Sequence, residues 1–273
     1  MPEGDTIYKH AADFRARLVG GAVRALYRGG VAEPRFAGLV LQSAEAQGKH
    51  LLLAFGERGA LPTLSARVHL GIAGTFRIGA ATSYTALQKT ASPLCLDFGE
   101  RVAFVRKPKD VVLASVGLED RRALASLGPD LLGPEPDFDE IVRRARVPAY
   151  AARPLGELLL DQRVAAGIGN VYKSELCFEA RLHPFLRVDE VDDATLRRLY
   201  VRAVEQLAAN LGPWRRTTTA DRSRGARPPA GVGRMWVYGR KGRGCHVCST
   251  PIERRVMGTD LRATFYCPRC QAP

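Results

Sequence analysis

The sequence has no long apolar run, few cysteines and a deficit of acidic residues. Its longest apolar stretches, such as residues 51–55, are far too short to span a bilayer. Met1–Asp5 has neither a charged n-region nor the start of an apolar h-region, so we expect no secretion. Six cysteines in 273 residues do not make a disulfide-dense scaffold, and 46% hydrophobic residues are typical of a globular protein. Composition therefore excludes a membrane span, a disulfide scaffold and a disordered chain.

The charge balance is strongly basic, with 41 Lys and Arg against 28 Asp and Glu and a net charge of +13. Such an excess indicates a polyanionic partner without naming it. Residues 214–243 contain nine basic residues and one acid among many Gly, Pro, Thr and Ser. This composition predicts a mobile basic loop, either a solvated linker or a segment that neutralises nucleic-acid phosphates.

Four cysteines form two pairs of the C-x-x-C type, Cys245 with Cys248 and Cys267 with Cys270, and 18 residues separate the pairs. This spacing is typical of a zinc ion held by four thiolates. A closed four-thiolate shell predicts one structural Zn²⁺, because no ligand position remains open for catalysis. The alternative is two disulfides. The isolated Cys95 and Cys177 are predicted to be buried small hydrophobic residues.

The periodicity changes near residue 115. Before it lie short alternating or apolar runs, including a predicted hairpin at 94–105, and one helical segment at 6–18. After it, a connector at 133–137 leads into helical sequence. The apolar spacing over 196–207 predicts a helix that is capped by Asp192 or Asp193 and ended by Gly212–Pro213.

Seven short motifs occur in order along the chain. They are Pro2–Gly4, Gly48–Leu52, His69–Gly74, Leu127–Leu132, Asp161–Gln162 with Gly167–Tyr172, Val237–Arg240, and the cysteine hairpin that ends at Gln271. This series resembles the formamidopyrimidine-DNA glycosylase and endonuclease VIII family of base-excision repair enzymes. The resemblance extends from the second residue almost to the last.

The resemblance implies an α+β architecture in which DNA binds between two domains. An N-terminal β-sandwich catalytic domain is expected at 2–115, a helix–two-turn–helix DNA-binding domain at 126–220 and a zinc finger at 236–271. It further implies a monomer in the bacterial cytosol and nucleoid that acts on double-stranded damaged DNA without contacting membranes.

The resemblance also implies the catalytic residues. Pro2, after removal of Met1, would be the nucleophile, since an α-amine titrates near 8 and is partly unprotonated at neutral pH. Glu3 would be the general acid and base, although a carboxylate at a helix start is common for electrostatic reasons alone. Lys49 would contact phosphate beside the lesion and assist proton transfer. Alone, a Met-Pro start or a surface lysine carries no such meaning.

Four further residues are implied to contact DNA, each with an alternative. His69 would bind phosphate or be a core histidine, and Ile72 would fill the vacated stack or be a buried strand residue. Asn170 would bind phosphate at a helix N-terminus or only cap that helix. Arg262 would grip phosphates flanking the lesion or belong to a generic basic patch.

Gly4 resembles the endonuclease VIII branch, which favours oxidised pyrimidines as substrates. Asp5 and Thr6 stand where the family usually has Pro-Glu, so a lesion-positioning glutamate is lost or replaced. We therefore expect a bifunctional glycosylase and abasic-site lyase that acts by β,δ-elimination. The alternatives are oxidised purines as substrates, a lyase with little glycosylase activity and a non-catalytic damaged-DNA binder. A zinc-ribbon ribosomal or transcription factor would leave the N-terminal motifs unexplained.

Overall fold

The computed structural model of the chain describes residues 1–85, 88, 91–117 and 124–272. The chain divides into two compact units, Met1–Pro2 with Thr6–Ser126, and Glu3–Asp5 with Leu127–Pro273. Within the described ranges, no helix combines the length and the apolar character needed to cross a membrane.

The first unit contains two antiparallel sheets. Their strands are β1 (Ala25–Arg28), β2 (Val31–Ala32), β3 (Val40–Gln47), β4 (His50–Gly56), β5 (Leu64–His69), β6 (Thr75–Ala80), β7 (Leu94–Asp97), β8 (Arg101–Arg106) and β9 (Asp110–Ser115). One sheet has the strand order β2-β1-β7-β8-β6, and the other has the order β3-β4-β5-β9.

Both sheets share one hydrophobic core with helix α1 (Gly4–Arg17). Ile7, Ala11 and Phe14 recur at helical spacing on one face of α1, and all three are fully buried. Leu53 of β4 and Leu96 of β7 belong to the same core. The predicted sandwich is confirmed, and the predicted helix at 6–18 begins two residues earlier.

The predicted hairpin at 94–105 is also confirmed. Strands β7 and β8 pair from Leu94 with Val105 to Asp97 with Val102. Gly99 has a φ of +90°, which a residue with a side chain rarely adopts, and its N–H donates to Asp97 Oδ1 at 2.8 Å. The turn therefore depends on glycine at this position.

The second unit contains four described helices and a hairpin. They are α2 (Phe138–Ala145), α3 (Leu155–Leu160), α4 (Asn170–Glu179), α5 (Asp193–Ala209), β10 (Glu253–Met257) and β11 (Arg262–Tyr266). Asp192 caps α5 as predicted, because its carboxylate accepts the Thr195 N–H at 2.7 Å. The helix ends at Ala209, ahead of the predicted Gly212–Pro213, since the side chain of the C-cap residue Asn210 donates to the carbonyls of Gln206 and Thr217.

Candidate active site and metal centre

The carboxylate of Glu3 is fully buried at the N-terminus of helix α4. Its oxygens accept the N–H groups of Val171 at 2.7 Å, Gly169 at 3.2 Å and Tyr172 at 3.3 Å. The first turn of a helix leaves such N–H groups without intrahelical partners, and its partial positive charge favours an anion. The Glu3 carboxylate therefore occupies a site that α4 itself creates.

Two glycines make room for this arrangement. A Cβ on Gly169 would lie 2.5 Å from the Glu3 side chain, which is impossible without displacing it. The N–H of Gly4 donates to the carbonyl of Gly167 at 2.9 Å, and Gly167 has a φ of +124°. Pro2, which precedes Glu3, is half-buried. The glycines of the Gly167–Asn170 motif thus act on Glu3 through backbone geometry.

A buried arginine lies beside Glu3. The Arg216 guanidinium binds both Asp5 oxygens, at 2.9 and 2.5 Å, and lies 3.8 Å from Glu3 Oε1. It also stacks over the Tyr172 ring at 5.0 Å. Burial lowers the pKa of Arg216, but the charges of Glu3 and Asp5 outweigh this and raise the pKa overall. The site therefore contains two carboxylates that share one permanent cation.

This arrangement differs from the prediction of a solvated basic loop over 214–243. The Arg216 side chain is only 13% exposed, and Thr217 and Thr218 are buried. Asp5, which replaces the family's usual residue, lies 211 positions away in the sequence and supplies the charge that holds Arg216. At Arg216 the segment is part of the site and not a linker.

Asn170 is the first residue of α4 and is 4% exposed. The cap of this helix is Gly169, so the alternative in which Asn170 is only an N-cap is wrong. The prediction of free helix N–H groups for phosphate is also wrong for the three that Glu3 occupies. The Asn170 side chain instead accepts a hydrogen bond from the buried Lys173 ammonium at 2.7 Å.

Lys49 lies in the two-residue turn between β3 and β4, which Gly48 allows with a φ of +55°. His69 ends β5, and its ring lies 4.8 Å from that of His50 on β4. Arg67 donates to His50 Nδ1 at 3.2 Å and to Asp110 at 2.8 Å. Several basic side chains therefore lie at the same end of this sheet.

The two histidines are uncharged at neutral pH. Burial, with the nearby His69 and Arg67, lowers the pKa of His50 to about 3. Burial, with the charges of Lys109 and Lys49, lowers the pKa of His69 to about 4. The buried His69 Nδ1 has no hydrogen-bond partner among the described residues, so the alternative of a satisfied core histidine does not hold. A contact of His69 with phosphate would therefore be a neutral hydrogen bond.

Ile72 and Arg262 both lie in or beside turns. Ile72 is 56% exposed between β5 and β6, so the alternative of a buried strand residue is wrong. Arg262 begins β11, and its half-buried side chain binds Asp260 at 2.9 Å. Both side chains are accessible to a partner.

The four paired cysteines converge into one cluster, with all Sγ atoms within 4.8 Å of one another. The separation is 3.4 Å between Cys248 and Cys267 and 3.9 Å between Cys245 and Cys270. A tetrahedral zinc ion with Zn–S bonds of about 2.3 Å needs sulfur atoms about 3.8 Å apart, so the cluster fits this ion. All six cysteines are free thiols, and the isolated Cys95 and Cys177 are buried as predicted. The cluster can bind a metal ion and contains no disulfide.

Known proteins are similar to this chain along almost its whole length. The model of the formamidopyrimidine-DNA glycosylase H2TH domain matches residues 127–220. Endonuclease 8 2 from Mycobacterium bovis is 36% identical over 287 residues, covering 99% of this chain and 100% of that protein. DNA-(apurinic or apyrimidinic site) lyase Nei2 from Mycolicibacterium smegmatis is 37% identical over 285 residues, covering 99% of each. The chain belongs to the formamidopyrimidine-DNA glycosylase and endonuclease VIII family.

The fold of the chain is also similar to that of a solved structure of this family. The crystal structure of the MutM (Fpg) protein from Thermus thermophilus matches with a TM-score of 0.74 at 31% identity, covering 99% of this chain and 98% of that one. The helix–two-turn–helix domain and the C-terminal cluster of four cysteines are therefore family features of this chain.

Sequence reasoning did not identify three buried charged residues, Arg216, Lys173 and Glu175, as parts of the structure around the site. Glu175 of α4 accepts the N–H groups of Trp236, Val237 and Tyr238 at 2.7 to 2.9 Å, and burial raises its pKa. Lys173 and Glu175 lie in the stretch that follows the Gly167–Tyr172 motif, and a charged residue within an otherwise apolar helix was the only signal available.

Proposed function

We propose that the protein is a bifunctional DNA glycosylase and abasic-site lyase of base-excision repair. The observation that carries this proposal is the fully buried Glu3 carboxylate, which three N–H groups of α4 hold directly after Pro2 in the chain. The names of the relatives, an endonuclease 8 and an abasic-site lyase, support the same chemistry.

Pro2 is the proposed nucleophile once Met1 is removed. Its secondary amine attacks C1′ of the damaged nucleoside, the bond from C1′ to the base breaks, and the base leaves with a proton taken from solvent. An α-amine titrates near 8, so a useful fraction is unprotonated at neutral pH. Opening of the sugar ring then leaves an iminium ion between the Pro2 nitrogen and C1′.

Glu3 is the proposed proton carrier. An ionised carboxylate has about four acceptor positions, and the helix N–H groups fill three, so one remains for a proton. In this role Glu3 accepts the N–H proton of the Pro2 amine after the attack, donates that proton to the ring oxygen as the ring opens and accepts a proton from C2′ afterwards. Loss of the C2′ proton expels the 3′ phosphate, and a second elimination expels the 5′ phosphate.

The remaining assignments concern DNA. We propose that Lys49, Asn170 and Arg262 contact phosphates, that His69 adds a neutral hydrogen bond, and that Ile72 fills the space of the flipped nucleotide. The exposed position of Ile72 and the basic surroundings of Lys49 and His69 support these roles. The partner is double-stranded damaged DNA, and the protein is proposed to act as a monomer in the bacterial cytosol and nucleoid.

One zinc ion is proposed to bind Cys245, Cys248, Cys267 and Cys270. This ion would stabilise the hairpin β10–β11 and thereby the position of Arg262, and it would take no part in the reaction.

Oxidised pyrimidines are the proposed substrates, since Gly4 and the endonuclease 8 relatives both favour that branch. A second candidate is an abasic-site lyase with little glycosylase activity. Two observations favour this alternative: Asp5 stands in place of the family's usual residue, and the Mycolicibacterium relative is named an abasic-site lyase.

The test of the nucleophile is borohydride trapping. Protein without Met1, verified by mass, is incubated with a duplex that contains one abasic site, and hydride reduces the iminium to a stable amine. We expect a covalent protein–DNA adduct on a denaturing gel. The matched control is the same chain with Met1 retained, in which the Pro2 nitrogen is an amide and cannot attack. Absence of an adduct with the processed protein would contradict the proposal.

The test of the substrate is a cleavage panel of duplexes that contain an abasic site, an oxidised pyrimidine or an oxidised guanine. Cleavage of the abasic and pyrimidine duplexes supports the main proposal. Cleavage of the abasic duplex alone supports the lyase, and preferential cleavage of oxidised guanine contradicts the assigned branch.

A further inference from the structure

Lys173 is a fully buried lysine on α4. Its ammonium donates to Asn170 Oδ1 at 2.7 Å, to Thr264 Oγ1 at 2.6 Å and to the Ala263 carbonyl at 3.2 Å. A lysine ammonium has three N–H donors, so these three neutral oxygens satisfy it. Burying an ammonium group is costly, and an apolar side chain would fill the same space at lower cost. The lysine therefore points to a requirement other than stability.

The first consequence concerns the orientation of Asn170. An ammonium cannot accept a hydrogen bond, so the Asn170 atom at 2.7 Å must be the oxygen. The amide nitrogen consequently faces away from Lys173. The amide NH₂ is the half of this side chain that can donate to a phosphate oxygen. Without Lys173, nothing in this contact would distinguish the two orientations.

The second consequence concerns β11. Ala263 and Thr264 directly follow Arg262 in this strand, and they lie 90 and 91 positions from Lys173 in the sequence. One ammonium thus joins the first turn of α4 to the strand that begins with Arg262. Burial lowers the pKa of Lys173 to about 8, which leaves it charged through most of the neutral range.

We propose that Lys173 is a positioning residue that holds the Asn170 amide and the Arg262 strand in the geometry that binds DNA phosphates. Lys173 itself does not touch the DNA. This inference rests on the proposed function, because it requires Asn170 and Arg262 to be phosphate ligands.

The experiment compares Lys173→Met, which keeps the length but removes the donors, with Asn170→Ala and the double variant. The probe is a fluorescent duplex that carries a tetrahydrofuran abasic analogue, and its Kd is measured by anisotropy at several salt concentrations. Loss of a hydrogen bond to a charged group weakens binding by about tenfold or more. We expect each single variant to bind the duplex about tenfold more weakly than the parent protein. The double variant should bind no more weakly than the weaker of the two single variants.

Two readouts separate positioning from a purely structural role and from direct contact. Each phosphate that a Lys or Arg neutralises contributes about 0.9 to the slope of log K against log salt, so Lys173→Met should lower the slope by no more than Arg262→Ala does, and the double variant Lys173→Met with Arg262→Ala should lower it no further if Lys173 itself does not touch DNA. The rate of single-turnover cleavage of an abasic duplex by Lys173→Met at saturating enzyme should differ from that of the parent protein by less than about threefold, since the reacting groups are intact.

The outcomes are distinguishable. If Asn170→Ala and Arg262→Ala both bind like the parent, the proposed phosphate roles fail, and this inference fails with them. If Asn170→Ala weakens binding while Lys173→Met does not, or if the two losses add, only the positioning role is overturned. If Lys173→Met does not fold, Thr264→Val decides, since it removes one acceptor of Lys173 and keeps the size. Parent-like binding by Thr264→Val would then overturn the role, and weaker binding supports it.

Discussion

Arg216 is a buried cation of the second unit that contacts two buried carboxylates, and Arg216→Met tests its contribution to stability. Methionine preserves most of the length and apolar volume but removes the guanidinium. The change leaves Asp5 and Glu3 buried near each other without their shared cation, at 1% and 0% side-chain exposure. Both carboxylates would then have to remain charged in a nonpolar environment or take up protons.

The magnitude follows from the type of contact. Removing one partner of a buried ion pair costs about 3 to 5 kcal/mol. Because the Arg216 side chain retains 13% exposure, we place the loss at the lower end, at about 3 kcal/mol of unfolding free energy. For a unit of this size each kcal/mol corresponds to about 2 to 4 °C, so the midpoint should fall by about 6 to 12 °C.

The assay is differential scanning calorimetry of the full chain loaded with zinc, supported by urea unfolding. The matched control is Arg215→Met, which removes an exposed arginine at the neighbouring position and should shift the midpoint by less than about 2 °C. The double variant Asp5→Asn with Arg216→Met removes one uncompensated carboxylate and should recover at least about 1 kcal/mol. If the unfolding midpoint of Arg216→Met equals that of Arg215→Met, the buried ion pair does not stabilise the fold, and the prediction is refuted.

Three further predictions concern other parts of the chain. Gly169→Ala should displace the Glu3 side chain and lower abasic-site cleavage by more than about tenfold, since its Cβ would lie 2.5 Å from that carboxyl group; unchanged single-turnover cleavage would contradict this. Cys248→Ser should lower bound zinc, measured by a chromogenic chelator, and should weaken DNA binding, whereas full zinc content would show that Cys248 is not a ligand. His50 has a pKa of about 3 when folded and 6.5 when unfolded, so the unfolded state binds more protons and stability falls as the pH drops below 6.5. Between pH 7 and pH 5 this loss is about 2 kcal/mol by urea unfolding, and an equally steep fall in His50→Gln would exclude His50 as its source.

Sequence reasoning succeeded where a local pattern determines the structure. The α5 helix is capped by Asp192 because a carboxylate one position before a helix can reach the Thr195 N–H. The hairpin β7–β8 follows from alternation on both sides of Gly99. The cysteine cluster follows from a spacing that brings two knuckles together. Each of these features depends on residues close in sequence or on a repeated residue type.

Sequence reasoning failed where the partner of a charged side chain is distant in the sequence. Arg216 lies among Gly, Pro and Thr residues that indicate a solvated loop, while its partner Asp5 is 211 positions away. Lys173 resembles a surface lysine, yet it bonds to residues 90 and 91 positions further on. Composition reports the average environment of a segment and not the environment of one side chain. For Arg216, only the departure at Asp5 offered a signal, because an acid at that position requires compensation once it is buried.

The arrangement around Glu3 supports the proposed role of Pro2 as the nucleophile. Chain ends are usually poorly ordered, and a reacting group must be held to within a fraction of an ångström. Here the three residues after Pro2 are each fixed: Glu3 by the α4 N–H groups, Gly4 by the Gly167 carbonyl at 2.9 Å, and Asp5 by Arg216. A trans peptide bond sets the Cα of residue 2 about 3.8 Å from that of residue 3, so holding Glu3 also confines Pro2. A secondary amine in the main chain then needs no rotamer of its own, whereas a lysine nucleophile would have four free torsions to order. The contacts of Glu3, Gly4 and Asp5 are therefore as much a part of the proposed catalytic machinery as the amine itself.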